Sequence, residues 1–309
     1  MIQKEEEIVE RTLELLSPRV KSLIITVYGD AISHRGGEAW LGSIIELLKP
    51  FNFTERAVRT SVLRLSGDNW LVARSVGRCS YYHLTDIGRR RFNAAHERIY
   101  KSQISTWDNQ WTVVCPPMAD LKPTQRESLR RDLGWMGFGQ LTPGIFLHPS
   151  PDESSLQNLF PDQQNAPFIV RGKRCDWLPE QSIDQTVRQC WDLNRLEKDY
   201  ETFLNVFRPV WAALSELTTL SPELCFTIRT LLMHGYRKAI LKDPMLPEEL
   251  LPANWPGKAA RTLSRNLYRL VEHGAEEHVS SLAETADGPI PEAHPSYYQR
   301  FGGLRPPQS

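Results

Sequence analysis

At 309 residues the chain is long enough for about two or three domains and a sizeable core. Hydrophobic residues make up 40% and charged residues 24%, which excludes a disordered or fibrous class. The formal net charge of zero excludes a polycation that clings to any nucleic acid, so DNA binding requires a local basic patch.

The opening residues, MIQKEEEIVERTLELLSPRV, are acidic and amphipathic, unlike a secretory signal with an apolar run behind basic residues. No stretch approaches the roughly 18 consecutive apolar residues of a membrane span. Five cysteines (79, 115, 175, 190 and 225) are dispersed without a CxxC pair. That argues against a disulfide framework or a zinc site and suits a reducing, cytoplasmic setting.

Residues 21–32 (KSLIITVYGDAI) are apolar and helix-compatible and end before the turn-rich SHRGG. Residues 38–48 (EAWLGSIIELL) carry apolar side chains at helical spacing and predict a second helix. Pro50 and Asn52 end it, and Thr54 is an N-cap for a third, with Glu55 complementing the dipole of its first turn. In that helix Val58, Val62 and Leu65 fall on one face, with Arg56, Arg59, Thr60 and Arg64 opposite.

Two strand patterns follow, at 70–75 and 79–84, joined by Val76-Gly77-Arg78, a glycine-containing turn with arginine at its tip. Thr85 caps another helix that carries the arginine run 89–91. Residues 51–100 hold nine arginines against four acidic residues, a local surplus of +5 in a neutral chain. A basic helix followed by a basic hairpin, between about residues 20 and 95, predicts a winged helix-turn-helix. Its DNA contacts would be Arg56, Arg59, Thr60 and Arg64 in a major groove, with Arg74 and Arg78 on phosphates.

Residues 111–115, 144–148 and 167–171 read as strands and 123–136 and 152–160 as helices, which suits a β-α-β-β-α-β layer. The segment GWMGFGQL (134–141) has two readings, a dimerising surface or a turn packed in the core. From about residue 182 the pattern is helical. Leu193, Leu196, Tyr200, Phe203, Leu204 and Phe207 share a stripe, Pro209 follows, and Ser221-Pro222 caps the next helix. A final helix spans 257–280, and its HGAEEH (273–278) is expected to be solvated, since histidines five apart miss a shared metal site.

The chain resembles the PaaX-like regulators, repressors of phenylacetate degradation, from about Tyr28 to Leu304. The resemblance rests on YGDAISHRGGEAWLGS (28–43), ERAVRTSVLRL (55–65), GRCSYYHLT (77–85), WMGFGQLTP (135–143), KDPMLPEELLPANWPG (242–257) and YQRFGGL (298–304). It implies a cytoplasmic repressor that binds a palindromic operator, is homodimeric and is released by phenylacetyl-coenzyme A or a related aryl-acyl thioester. It also implies mixed α and α+β architecture. The parts would be a winged helix (1–100), a ferredoxin-like, Cas2-like dimerisation domain (101–180) and an all-α effector domain (181–309). The wing tip resembles a family GRRS element, but residue 79 is Cys, which removes one potential phosphate contact.

With the resemblance in view, Arg208, His234, Tyr236, Arg237 and Lys242 are candidates for coenzyme A phosphates, and Trp255 for covering an acyl or adenine group. Read without it, they are ordinary helix-surface cations and core aromatics. No catalytic residue, metal or cofactor is expected, since no nucleophile elbow, phosphate loop or zinc-protease motif occurs. Two alternatives stay open. One is a metal-dependent nuclease using Asp108 or Asp120 beside the first strand of the layer. The other is an acyl-coenzyme A-binding protein without a DNA function.

Overall fold

Leu23, Ile24 and Val27 make the buried face of α2 (Val20–Val27), behind the amphipathic α1 (Ile2–Leu16). The computed structural model in which these elements are seen describes residues 2–101, 106–160, 166–173, 175 and 181–304. Among them no helix is long and apolar enough to cross a membrane. Two compact units are present. One comprises Met1–Ser102, Tyr200–Ile240 and Gly257–Ser309, the other Gln103–Asp199 and Leu241–Pro256.

In the first unit α2 runs on into one π-helical turn, Tyr28–Ile32, which buries Asp30. Residues 38–40, expected to begin a helix, instead form strand β1 (Glu38–Trp40), and α3 (Leu41–Leu48) starts behind them. The backbone of β1 is claimed by the wing: Ala39 sits opposite Tyr82 in an antiparallel ladder, and that pairing overrides the helical spacing of the side chains. Helix α4 (Glu55–Gly67) is capped as expected, with the Ala57 N–H donating to Thr54 Oγ1 at 3.3 Å. Strands β2 (Leu71–Val76) and β3 (Cys79–Leu84) complete a sheet of order β1-β3-β2. Val76 pairs with Cys79, so Gly77 and Arg78 make the turn, and Gly77 takes the left-handed φ of +60° that glycine tolerates. Helix α5 (Asp86–Tyr100) follows, with Gly88 N–H donating to Thr85 Oγ1 at 2.9 Å.

The same unit contains the later helices. The aromatic stripe lies on α9 (Leu193–Ser215), which runs through Pro209 and belongs to this unit from Tyr200 onward. Next comes α10 (Pro222–Ile240), buried continuously from Leu224 to Tyr236, as a helix surrounded by others must be. Its Ser221 cap accepts from Leu224 N–H at 3.2 Å and donates to Glu5 of α1 at 2.7 Å. Then come α11 (Pro256–Leu282), the two-residue strands β8 (Glu284–Thr285) and β9 (Gly288–Pro289), and 3-10 turns over Pro295–Gly302. Helix α10 packs on the winged helix directly. Arg237 donates to the Ser22 carbonyl at 2.9 Å, His234 Nδ1 lies 3.3 Å from Thr26 Oγ1, and Phe226 meets Phe51 edge-on.

The second unit follows the expected β-α-β-β-α-β order: β4 (Gln110–Cys115), α6 (Pro123–Trp135), β5 (Gly139–Thr142), β6 (Ile145–His148), α7 (Glu153–Leu159) and β7 (Phe168–Lys173). The antiparallel sheet has the ferredoxin-like order β5-β6-β4-β7. Strand side chains alternate between its faces. Val114 and Phe146 join Leu133, Phe138 and Leu156 on one face. Trp111 and Leu147 join Val187, Trp191, Leu193, Leu246 and Leu250 on the other, so α8 (Gln181–Cys190) and the start of α9 cover this sheet. Of the GWMGFGQL segment, Phe138 is buried and Met136 packs beside it, while Trp135 is exposed.

Candidate nucleic-acid interface

Helix α4 buries Val58, Ser61, Val62 and Leu65, which fixes the opposite face as solvent-facing. Arg56, Arg59, Thr60 and Arg64 are all exposed there. Arg59 is committed within its own helix, its Nε donating to Glu55 Oε1 at 2.7 Å. Thr60 Oγ1 donates to the Arg56 carbonyl at 2.8 Å, which spends its hydroxyl proton. Leu63, absent from the sequence reading, stands on the same face and is 62% exposed. The wing supplies Arg74 and Arg78, both exposed, on a hairpin whose outer strand β2 is buried only at Leu71. Behind it, Arg91 lies 4.8 Å from the Trp70 ring. An exposed basic helix and an exposed basic hairpin thus share one rigid sheet-and-helix scaffold, as a groove reader and its phosphate clamp require.

The effector candidates are divided between the two units. His234 and Tyr236 are buried at 1% and 0% exposure in the core of the first unit, and Arg237 is bonded to Ser22. Arg208 is exposed on α9. In the second unit, Lys242 pairs with Asp199 at 2.8 Å and Trp255 packs against the Trp111–Trp191 cluster. Among the nuclease candidates, Asp108 is tied to Arg171 at 2.8 Å and accepts from Gln110 N–H, and Asp120 is exposed in a 3-10 turn. Among the described residues no group of three or more His, Cys, Asp or Glu is placed to hold a metal.

Sequence reasoning missed a buried ionic cluster beneath the winged helix. Asp30 Oδ1 accepts from Tyr100, from Tyr268 at 3.1 Å and from Arg300 at 3.3 Å, while Arg229 Nε sits 3.0 Å from Oδ2. Arg229 reaches on to Glu276 Oε1 at 2.6 Å, and Arg35 holds Glu276 Oε2 at 2.6 Å. Arg300 also donates to the Asp30 carbonyl and lies over the Tyr100 and Tyr297 rings at 4.2 and 4.6 Å. Glu272 accepts from Tyr297. Burial works against the Glu276 carboxylate, but Arg229, His34 and Arg35 outweigh it and hold its pKa well below the ordinary value. The HGAEEH stretch is therefore not solvated as a whole: Glu276 and His278 turn inward, and His278 stacks on Phe226.

Three family models match successive parts of the chain. The PaaX-like protein model matches residues 19–88, the PaaX central Cas2-like domain 105–171, and the PaaX-like C-terminal domain 191–281. A relative, the transcriptional repressor PaaX of Escherichia coli (strain K12), is 40% identical over 286 residues, 92% of this chain and 90% of that protein. The chain belongs to the PaaX-like family. A solved structure, uncharacterized protein Rv0674 from Mycobacterium tuberculosis, aligns with TM-score 0.49 and 21% identity, covering 75% of this chain and 89% of that one.

In this PaaX-like chain the buried histidines carry a pH signature. Burial, aided by Arg300, lowers His34 to about 4 against the pull of Glu276; burial, with Arg237 and Lys238, lowers His234 to about 3. The unfolded chain protonates these rings near pH 6.5 and the folded one does not. Stability is therefore complete above pH 6.5 and lost as pH falls towards 4, by about 1.4 kcal/mol per pH unit for each ring. These two rings predict a loss of about 3 kcal/mol between pH 6.5 and 5, to which His96, lowered to about 4 by burial and Arg300, adds; urea unfolding measures the sum. His234→Gln should reduce the slope by one proton, and an unchanged slope would remove His234 from the account.

Proposed function

We propose that the protein is a cytoplasmic transcriptional repressor that binds a palindromic operator as a homodimer and controls phenylacetate catabolism. The exposed basic face of α4 beside the exposed basic wing carries this reading, and the 40% identical relative named a transcriptional repressor supports it. Dimerisation is assigned to the ferredoxin-like layer. Its edge strand β7 exposes Phe168, Ile169 and Val170, an apolar edge of the kind that natural monomers cover or charge.

The effector is an aryl-acyl-coenzyme A such as phenylacetyl-coenzyme A. Release requires that the thioester bind the DNA-incompetent arrangement more tightly; a factor of about 100 corresponds to roughly 2.7 kcal/mol. Since α10 is bonded to α2, a ligand that shifts the later helices acts on the winged helix without an intervening linker. The test is a gel shift on the DNA upstream of the gene. Phenylacetyl-coenzyme A should free the fragment while phenylacetate and coenzyme A leave it bound. Release by the free acid would overturn the effector, and no shift at all would overturn the repressor.

A further inference from the structure

Leu63 stands among the arginines of the exposed face of α4. At 62% exposure it is surpassed among the large apolar side chains of the described residues only by Phe168. The face on which it stands follows from the helical repeat of 100° per residue. Val58, Ser61, Val62 and Leu65 centre the buried side of α4, and Arg56, Thr60, Leu63 and Gly67 lie along the line directly opposite. Arg59 and Arg64 flank that line. A Cβ added at Gly67 would meet nothing within 4 Å, so the C-terminal end of the face is open. Thr60 has turned its hydroxyl proton back to the Arg56 carbonyl, which leaves a methyl group and acceptor lone pairs one turn before Leu63. The centre of the basic face is thus apolar, bordered by arginines.

Such a centre has a chemical counterpart in the major groove. There every base pair offers hydrogen-bonding atoms, but thymine alone adds an apolar group, its 5-methyl. The arginines fit guanine edges and phosphates, and neither Leu63 nor the committed Thr60 has a proton to donate to a base. We propose that Leu63, with the Thr60 methyl beside it, is a specificity-determining residue that reads the 5-methyl groups of thymine in each operator half-site. This inference rests on the DNA-binding reading of α4 and sharpens it.

The experiment is a four-way comparison with the full chain. Wild type and Leu63→Ala are titrated against the operator duplex protected in a footprint, and against the same duplex with every half-site thymine replaced by deoxyuridine. Wild type should bind the uracil duplex more weakly by about 4-fold per methyl contacted, hence about 15-fold for one contact in each half-site. Leu63→Ala should bind the thymine duplex more weakly than wild type does and discriminate the two duplexes less, keeping only the share that the Thr60 methyl supplies. Any change in duplex shape from uracil cancels between the two proteins. The substitution is exposed and replaces leucine with a better helix former, so its melting temperature should match wild type. Equal binding of both duplexes by wild type, or full discrimination retained in Leu63→Ala, would overturn the inference and leave the repressor reading intact. Failure of wild type to bind the thymine duplex would instead overturn both.

Discussion

Asp30→Ala should destabilise the protein by about 3–5 kcal/mol, the usual cost of leaving a buried charge without its partner. Asp30 is 3% exposed and compensates two arginines, Arg229 and Arg300, that are themselves 0% and 1% exposed. Neither cation has water to turn to. The substitution also strips the Tyr100 and Tyr268 hydroxyls of their acceptor. Asp30→Asn should cost less, because an amide oxygen still accepts from the tyrosines and Arg300 while the charge is lost. Equilibrium urea unfolding followed by tryptophan fluorescence and far-ultraviolet circular dichroism checks both. A loss under about 1 kcal/mol in Asp30→Ala would show that the cluster does not hold this unit together.

Arg56→Ala and Arg64→Ala should each weaken operator binding by about 1–3 kcal/mol if the guanidinium meets a guanine edge, and leave stability unchanged because both side chains are exposed. Arg59→Ala should cost less than Arg56→Ala, since Arg59 must first leave Glu55, 2.6 Å from its Nη2. Fluorescence anisotropy at fixed salt ranks the three, and a larger loss at Arg59 would mean that the Glu55 pair dissolves on binding. On the wing, Arg74→Ala and Arg78→Ala should act through phosphates, each lowering the slope of log affinity against log salt by about 1.

The helix and hairpin that carry the candidate interface were legible in the sequence because their signals are local. Thr54 and Thr85 announce helix starts, the Val58-Val62-Leu65 spacing sets a face, and Gly77 marks the hairpin. Three strands and both helices of the β-α-β-β-α-β layer were legible for the same reason, whereas β5 lay in the GWMGFGQL stretch and was not read as a strand. Strand β1 was not, because three residues whose apolar members also fit a helix reveal their pairing only when β3 is beside them. The ionic cluster was hidden for a stronger reason. Nothing near Arg229 or Arg300 distinguishes a buried guanidinium from a solvated one; their partner lies some 200 or more residues away. The HGAEEH stretch misled through composition. Tyr268, Glu272 and Glu276 follow one another a turn apart on the inward side of α11, and their burial is a property of the tertiary fold. The same packing places His234 and Tyr236 in the core.

Arg300 and Asp30 are separated by 270 residues, and this has a bearing on how the protein is made. A ribosome adding about 5–20 residues per second needs roughly 14–54 s to travel from one to the other. Throughout that interval the acidic group of the nascent winged helix awaits its counter-ions, Arg229 arriving first and Arg300 last. The support beneath the candidate DNA-reading surface therefore closes only once Arg300 has been made. A polypeptide cut off before Arg300 would carry every exposed arginine of α4 and the wing yet lack the final clasp under them.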